Sequence, residues 1–79
     1  MLPKLDTPTT YCISVHGFMP PAWSARLGGL TIHTIDQQDG ETVTILSGQL
    51  QDQAALIGVI NALYDRHLPL LSVEYLENE

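Results

Sequence analysis

Cations are the scarcest resource of this chain: Lys4, Arg26 and Arg66 stand against nine acidic residues, for a net charge of -6 over 79 residues. A surface so poor in cations cannot neutralise several phosphates, and that neutralisation is the largest contribution to nonspecific nucleic-acid binding. Nucleic acid and anionic membrane surfaces are therefore disfavoured partners, and the acidity serves solubility. Cysteine is nearly absent as well. With Cys12 alone, no intrachain disulfide can form, and nothing points to an oxidising compartment; a cytoplasmic address fits best. Long apolar runs are missing too, since none approaches the roughly 18 residues that a membrane span needs. The opening M-L-P-K-L-D-T-P has no apolar signal-peptide centre, and residues 1–10 read as a flexible arm ahead of a single domain over residues 11–79.

What is present is 44% apolar residues, enough for one small core. A core of this size sits near the lower limit at which a chain folds without disulfides or metals, so self-association is expected. The residues from Asp52 onward organise the rest. Leu56, Val59, Ile60 and Leu63 recur at the spacing that lines one side of a 3.6-residue turn, predicting an amphipathic helix that lies on an apolar surface. Asp52 is a suitable N-cap. Leu68, preceding Pro69, is pushed toward an extended conformation, so the helix ends near Arg66, and His67 takes the left-handed position usually given to Gly or Asn.

Tyr11 to His16 alternates apolar and polar residues and closes on Gly17, the pattern of a half-buried strand. From Phe18 to Leu27, prolines at tolerated first-turn positions predict one to two helical turns. Trp23 and Leu27 share a side there, and Gly28-Gly29 ends the turn. Two β-branched runs, Leu30 to Ile35 and Thr42 to Leu46, flank Asp36-Gln37-Gln38-Asp39-Gly40-Glu41. Asp39-Gly40 supplies the positive φ of a tight reversal, which predicts a β-hairpin. Ser47 to Gln51 reads as the lead into the helix. Leu70 to Leu76 is the last strand, with Leu71, Val73 and Tyr75 inward and Ser72 and Glu74 outward.

The order strand, short helix, strand, strand, long helix, strand makes an α+β domain. It fits a ferredoxin-like βαββαβ unit with a reduced first helix, a four-stranded antiparallel sheet covered on one face by one long helix. A three-strand meander followed by helix and strand is the competing topology. In the blocks Trp23-Ser24, Leu27-Gly28-Gly29-Leu30, Asp52-Gln53-Ala54-Ala55-Leu56 and Leu68-Pro69-Leu70-Leu71-Ser72-Val73-Glu74, the chain resembles a group of small bacterial single-domain proteins of unknown function. The likeness covers nearly the whole chain. It implies a bacterial single-domain protein and carries over no catalytic residue, and the group would place Gly where His67 stands.

Candidate chemistry is sparse. Cys12, His16 and His33 are the soft metal ligands on strands. In the ferredoxin-like order the hairpin's second strand separates His16 from His33 by about 9–10 Å, too far to share an ion bound at about 2.0–2.1 Å. In the meander order they are neighbours. Cys12 and His16 share a face but lie about 13 Å apart along the strand, which removes the pair as a nucleophile and base. His67 reads as a plain helix cap. Acylphosphatases carry an anion-binding Arg in the loop after the first strand, and His16 to Pro21 has none; their catalytic Asn is unmatched, because Asn61 falls within the helix. Tautomerases need Pro at position 2, where Leu2 stands. No Gly-rich phosphate loop, paired catalytic carboxylates or Ser/His/Asp set is visible.

No cofactor and no metal is expected. The remaining feature is an outer sheet face of Cys12, Ser14, His16, Thr31, His33, Thr42, Thr44, Ser72 and Glu74, weakly charged and suited to pairing with a second copy. The leading functional reading is a non-enzymatic interaction or regulatory module acting as a homodimer on a protein partner. A small-ligand sensor of ACT-like type, with a pocket near Trp23, Gly28 and Gly29, is the second. An enzyme would need a site shared between subunits, joining His16 or His33 to Glu74.

Overall fold

In the computed structural model, residues 4–37 and 39–76 are described. Residues 1–3, Gln38 and residues 77–79 lie outside them. Four strands, β1 (Thr9–His16), β2 (Thr31–Asp36), β3 (Thr42–Leu50) and β4 (Leu70–Leu76), accompany a short 3₁₀ helix (Pro21–Leu27) and one long helix, α1 (Gln53–Asp65). The sheet order is β2-β3-β1-β4 with every pair antiparallel. This is the ferredoxin-like order with its first helix reduced, and the meander is excluded because β3 separates β1 from β2.

The hairpin forms where Asp39-Gly40 predicts it. Gly40 holds φ +85°, Asp39 Oδ1 accepts from the N–H of Glu41 at 3.0 Å, and the N–H of Gln37 donates to Glu41 O at 2.7 Å. The second strand is longer than its β-branched run, however. Ser47 to Leu50 pairs with Thr9 to Cys12 instead of leading loosely into α1, because Leu50 belongs to the core at 2% exposure. Glycine makes this extension possible: Gly48 adopts φ +149° and a Cβ there would meet Leu30 at 3.1 Å.

The ends of α1 follow the chemistry of their residues. Asp52 Oδ1 accepts from the Ala55 N–H at 2.8 Å, satisfying one of the unpaired donors of the first turn. At the other end Leu68 donates its N–H to Leu63 O, and His67 donates to Tyr64 O. These two bonds make a Schellman stop, with His67 at φ 60° as the sequence predicts. A non-glycine residue held left-handed costs about 1 kcal/mol. His67→Gly is therefore expected to raise the midpoint of thermal unfolding by about 4–8 °C, measured by circular dichroism; no rise would mean that the imidazole contributes as much as the backbone strain removes.

The core lies between the sheet and the two helices. Tyr11, Ile13 and Val15 of β1, Leu46 and Leu50 of β3, Ile32 of β2 and Leu30 beside it meet Met19, Leu27, Val59 and Leu63. Leu56 packs against this cluster as expected, whereas Ile60 is only half-buried and stands outside it. One polar atom inside has no partner among the described residues, the hydroxyl of Tyr11. A buried hydroxyl without a hydrogen bond costs about 1–3 kcal/mol, so Tyr11→Phe should leave stability unchanged or raise it by about 1 kcal/mol. Denaturant titration checks this, and a clear loss would mean that the hydroxyl is bonded in solution.

Candidate functional surfaces

The sheet has one covered and one bare face, and alternation decides which residues occupy each. On the bare face β1 presents Cys12, Ser14 and His16. Register places Ser47, Ile45 and Val43 of β3 beside them, then Thr31, His33 and Ile35 of β2, with Glu74 and Ser72 of β4 on the other flank. Cys12, Ser14, His16, Thr31, His33, Ser72 and Glu74 thus share a face as the sequence predicts. Thr42 and Thr44 do not. Thr44 stands opposite Val15 in the core at 0% exposure. Its Oγ1 donates to Gly17 O at 2.6 Å and accepts from the Met19 N–H at 3.3 Å, pinning the loop that leaves β1. Thr42, in the same phase, donates to Asp36 Oδ1 at 3.2 Å. The middle of the bare face is consequently more apolar than expected, with Val43 and Ile45 where threonines were predicted.

The arrangement keeps the candidate ligands apart. β3 lies between the strands of His16 and His33, and His16 Nε2 meets the Glu41 carboxylate at the rim. Cys12 is a free, partly exposed thiol on the same face. Among the described residues no group of three or more His, Cys, Asp and Glu side chains is gathered closely enough to hold a metal ion. No described helix is long and apolar enough to cross a membrane.

Gly28 and Gly29 close the short helix that carries Trp23 near its start. Gly28 and Gly29 both donate their N–H to Ser24 O, and Ser24 Oγ donates to Leu30 O at 2.6 Å. The ring of Trp23 is already occupied by the chain's own cations, with the guanidinium carbons of Arg26 and Arg66 at 4.7 and 4.1 Å from its centroid. Such cation–π contacts contribute about 0.5–1 kcal/mol at exposed sites, and here one of them ties α1 to the short helix. A Cβ at Gly28 would meet Leu50 at 2.7 Å, so that side of the turn is filled by core. An open hollow of about 280 Å³ lies elsewhere, between Tyr64, His67, Leu68 and Pro69.

Sequence reasoning missed the surface that runs from this hollow along β4. Val73 and Tyr75 stand opposite Ile13 and Tyr11 on the helix-covered face, yet each keeps 38% of its surface exposed and neither joins the core cluster. Helix placement explains this. The short helix lies over β2 and against α1, with Trp23 under Arg66 and Gly28 close to Val59. At 100° per residue, Ile57 and Tyr64 fall on the side of α1 turned away from the short helix. Given the strand order, that side faces the β4 edge. Ile57 is 56% and Tyr64 77% exposed, and Leu70, Leu71 and Leu76 of β4 are each about half exposed. A signal was available in L-L-S-V-E-Y-L, where five of seven residues are apolar and only Ser72 and Glu74 are polar.

A family model described as "Domain of unknown function (DUF8691)" matches residues 10–74, from the second residue of β1 to within two residues of the end of β4. No curated protein and no solved structure matches the chain.

Proposed function

The chain belongs to the DUF8691 family, and from its surfaces we propose that it is a non-enzymatic interaction module that works as a homodimer. One observation carries this reading. Of the ten large apolar side chains exposed among the described residues, seven lie along β4 and the adjoining flank of α1. Scattered apolar residues are ordinary on a protein surface, whereas a contiguous group on one side marks a contact surface. A thin core points the same way, because a second copy would supply the burial that a domain of this size lacks.

A second reading places the contact on the bare sheet face. Val43 and Ile45 at its centre and the small side chains of Cys12, Ser14, Ser47 and Ser72 around them support it, since small residues let two sheets approach to about 10 Å. Sedimentation equilibrium of the purified chain tests both readings together. A mass near twice 8.7 kDa at micromolar concentration is expected, and a mass of 8.7 kDa across the whole range would overturn the homodimer.

A further inference from the structure

We propose that β4 is the seam of this homodimer: two copies lay the strand side by side, antiparallel, about a two-fold axis through Val73, and join two four-stranded sheets into one of eight. The proposal rests on the homodimer reading above and adds its geometry.

The backbone gives the first argument. Gly17 donates its N–H to Thr42 O on the β3 side, and His16 donates to Pro69 O on the β4 side. Successive residues of a strand turn their N–H groups to opposite neighbours, and β1 pairs with β3 without irregularity. Ser14 and Cys12 therefore turn toward β4, where Ser72 and Glu74 are their partners. Val73 and Tyr75 must then turn N–H and C=O outward, to an edge beyond which no described strand lies. Natural edges are blunted by charged residues, proline or bulges; β4 has no lysine or proline, and its one charge, Glu74, is a backbone partner of β1 rather than one of the outward-turned residues. Its one register irregularity falls at the Leu70 end, clear of the centre.

Register gives the second. A two-fold ladder must set outward-turned residues against each other, which for a long overlap leaves axes through Ser72, Val73 or Glu74. An axis through Glu74 would place two carboxylates directly opposite, a destabilising pair. One through Ser72 shortens the overlap and leaves Tyr75 and Leu76 uncovered. Only the axis through Val73 overlaps all seven residues. It sets Val73 against its own copy, Leu71 against the partner's Tyr75, and Glu74 against a serine hydroxyl, with Leu70 beyond the register irregularity of β4.

Area gives the third. At their observed exposures, the five apolar side chains of β4 with Ile57 and Tyr64 present on the order of 700 Å² per copy, close to the ~800 Å² per partner of a standard interface. A second copy of this chain thus matches the edge in backbone parity and in size, in a register that does not oppose the two Glu74 carboxylates. The joined sheet would carry the bare faces of both copies side by side on one surface.

The test combines association with a covalent probe. Directly opposed residues of a hydrogen-bonded antiparallel pair have Cα atoms about 5.5 Å apart, inside the disulfide range of about 4.4–6.8 Å. Val73→Cys in a Cys12→Ser background should therefore oxidise to a covalent dimer under native conditions. Val73→Lys, with its circular dichroism spectrum unchanged, should weaken association by roughly tenfold or more, while Ile45→Lys on the bare face should not. A monomeric wild type removes the homodimer reading and the seam with it. A wild-type dimer that Val73→Lys leaves intact and Ile45→Lys dissociates, with no covalent dimer from the Val73→Cys chain, overturns the seam alone and places the contact on the sheet face. If Val73→Lys does not fold, the covalent probe decides.

Discussion

Leu63→Ala is expected to lower the free energy of unfolding by about 3 kcal/mol, within the range of about 2–5 kcal/mol for truncating a fully buried leucine. Leu63 is 1% exposed and joins α1 to the central cluster. Its carbonyl also accepts from the N–Hs of Arg66 and Leu68 at the helix stop, so the side chain and the end of the helix are positioned together. A domain of this length has a total stability on the order of 4–12 kcal/mol; the substitution removes a large part of it. Chemical denaturation read by the fluorescence of Trp23 measures the loss, and a change under about 1 kcal/mol would mean that α1 does not rest on the sheet as described.

Thr44→Val should cost about 2–3 kcal/mol, although it conserves shape and adds apolar surface. The hydroxyl it removes donates to Gly17 O and accepts from the Met19 N–H. Both backbone groups would then need other partners at a site where Thr44 and Met19 are fully buried. Thr44→Ser keeps the hydroxyl and loses only a methyl group, so it should cost about 1 kcal/mol. The order of the two variants is the informative result, measured by denaturant titration. If serine were the more damaging, Thr44 would act through its methyl group and the anchoring of the Gly17 to Met19 loop would need another explanation.

The phase of β3 shows where reading the residues alone goes astray. In Thr42-Val43-Thr44-Ile45-Leu46 the alternation breaks at Ile45-Leu46, so either phase can be assigned to the core. Treating threonine as the polar member turns Val43 and Ile45 inward. Leu46 and Leu50, four apart and therefore on one face, fix the opposite phase once Ser47 to Leu50 is seen to be strand, and a shift of one residue exchanges every side chain between faces. The elements themselves were legible, because each has a local cause: Asp39-Gly40 for the reversal, Asp52 for the helix start, Leu68-Pro69 for its stop. The strand order is legible only as a choice between the ferredoxin-like order and the meander, which the place of β3 between β1 and β2 decides. What was not legible is how far α1 reaches across the sheet. That depends on the short helix beside it and on the Trp23–Arg66 contact, which brings together residues 43 apart in sequence and leaves no periodic trace. Alternation places Val73 and Tyr75 on the inner face correctly, but it carries no sign that α1 leaves them uncovered.

The candidate surfaces were partly legible for the same reason. Cys12, Ser14, His16, His33 and Glu74 share the bare face because strand alternation alone decides it, whereas the β4 edge became a surface only when strand order and helix placement were known.

Amide hydrogen exchange of Val73 and Tyr75, followed by NMR at rising protein concentration, probes the open edge most directly. The account predicts that both amides become protected as the dimer forms, in step with its mass, while those of Ser72 and Glu74 are protected at every concentration. Rapid exchange of Val73 and Tyr75 in a sample that sediments as a dimer would contradict it.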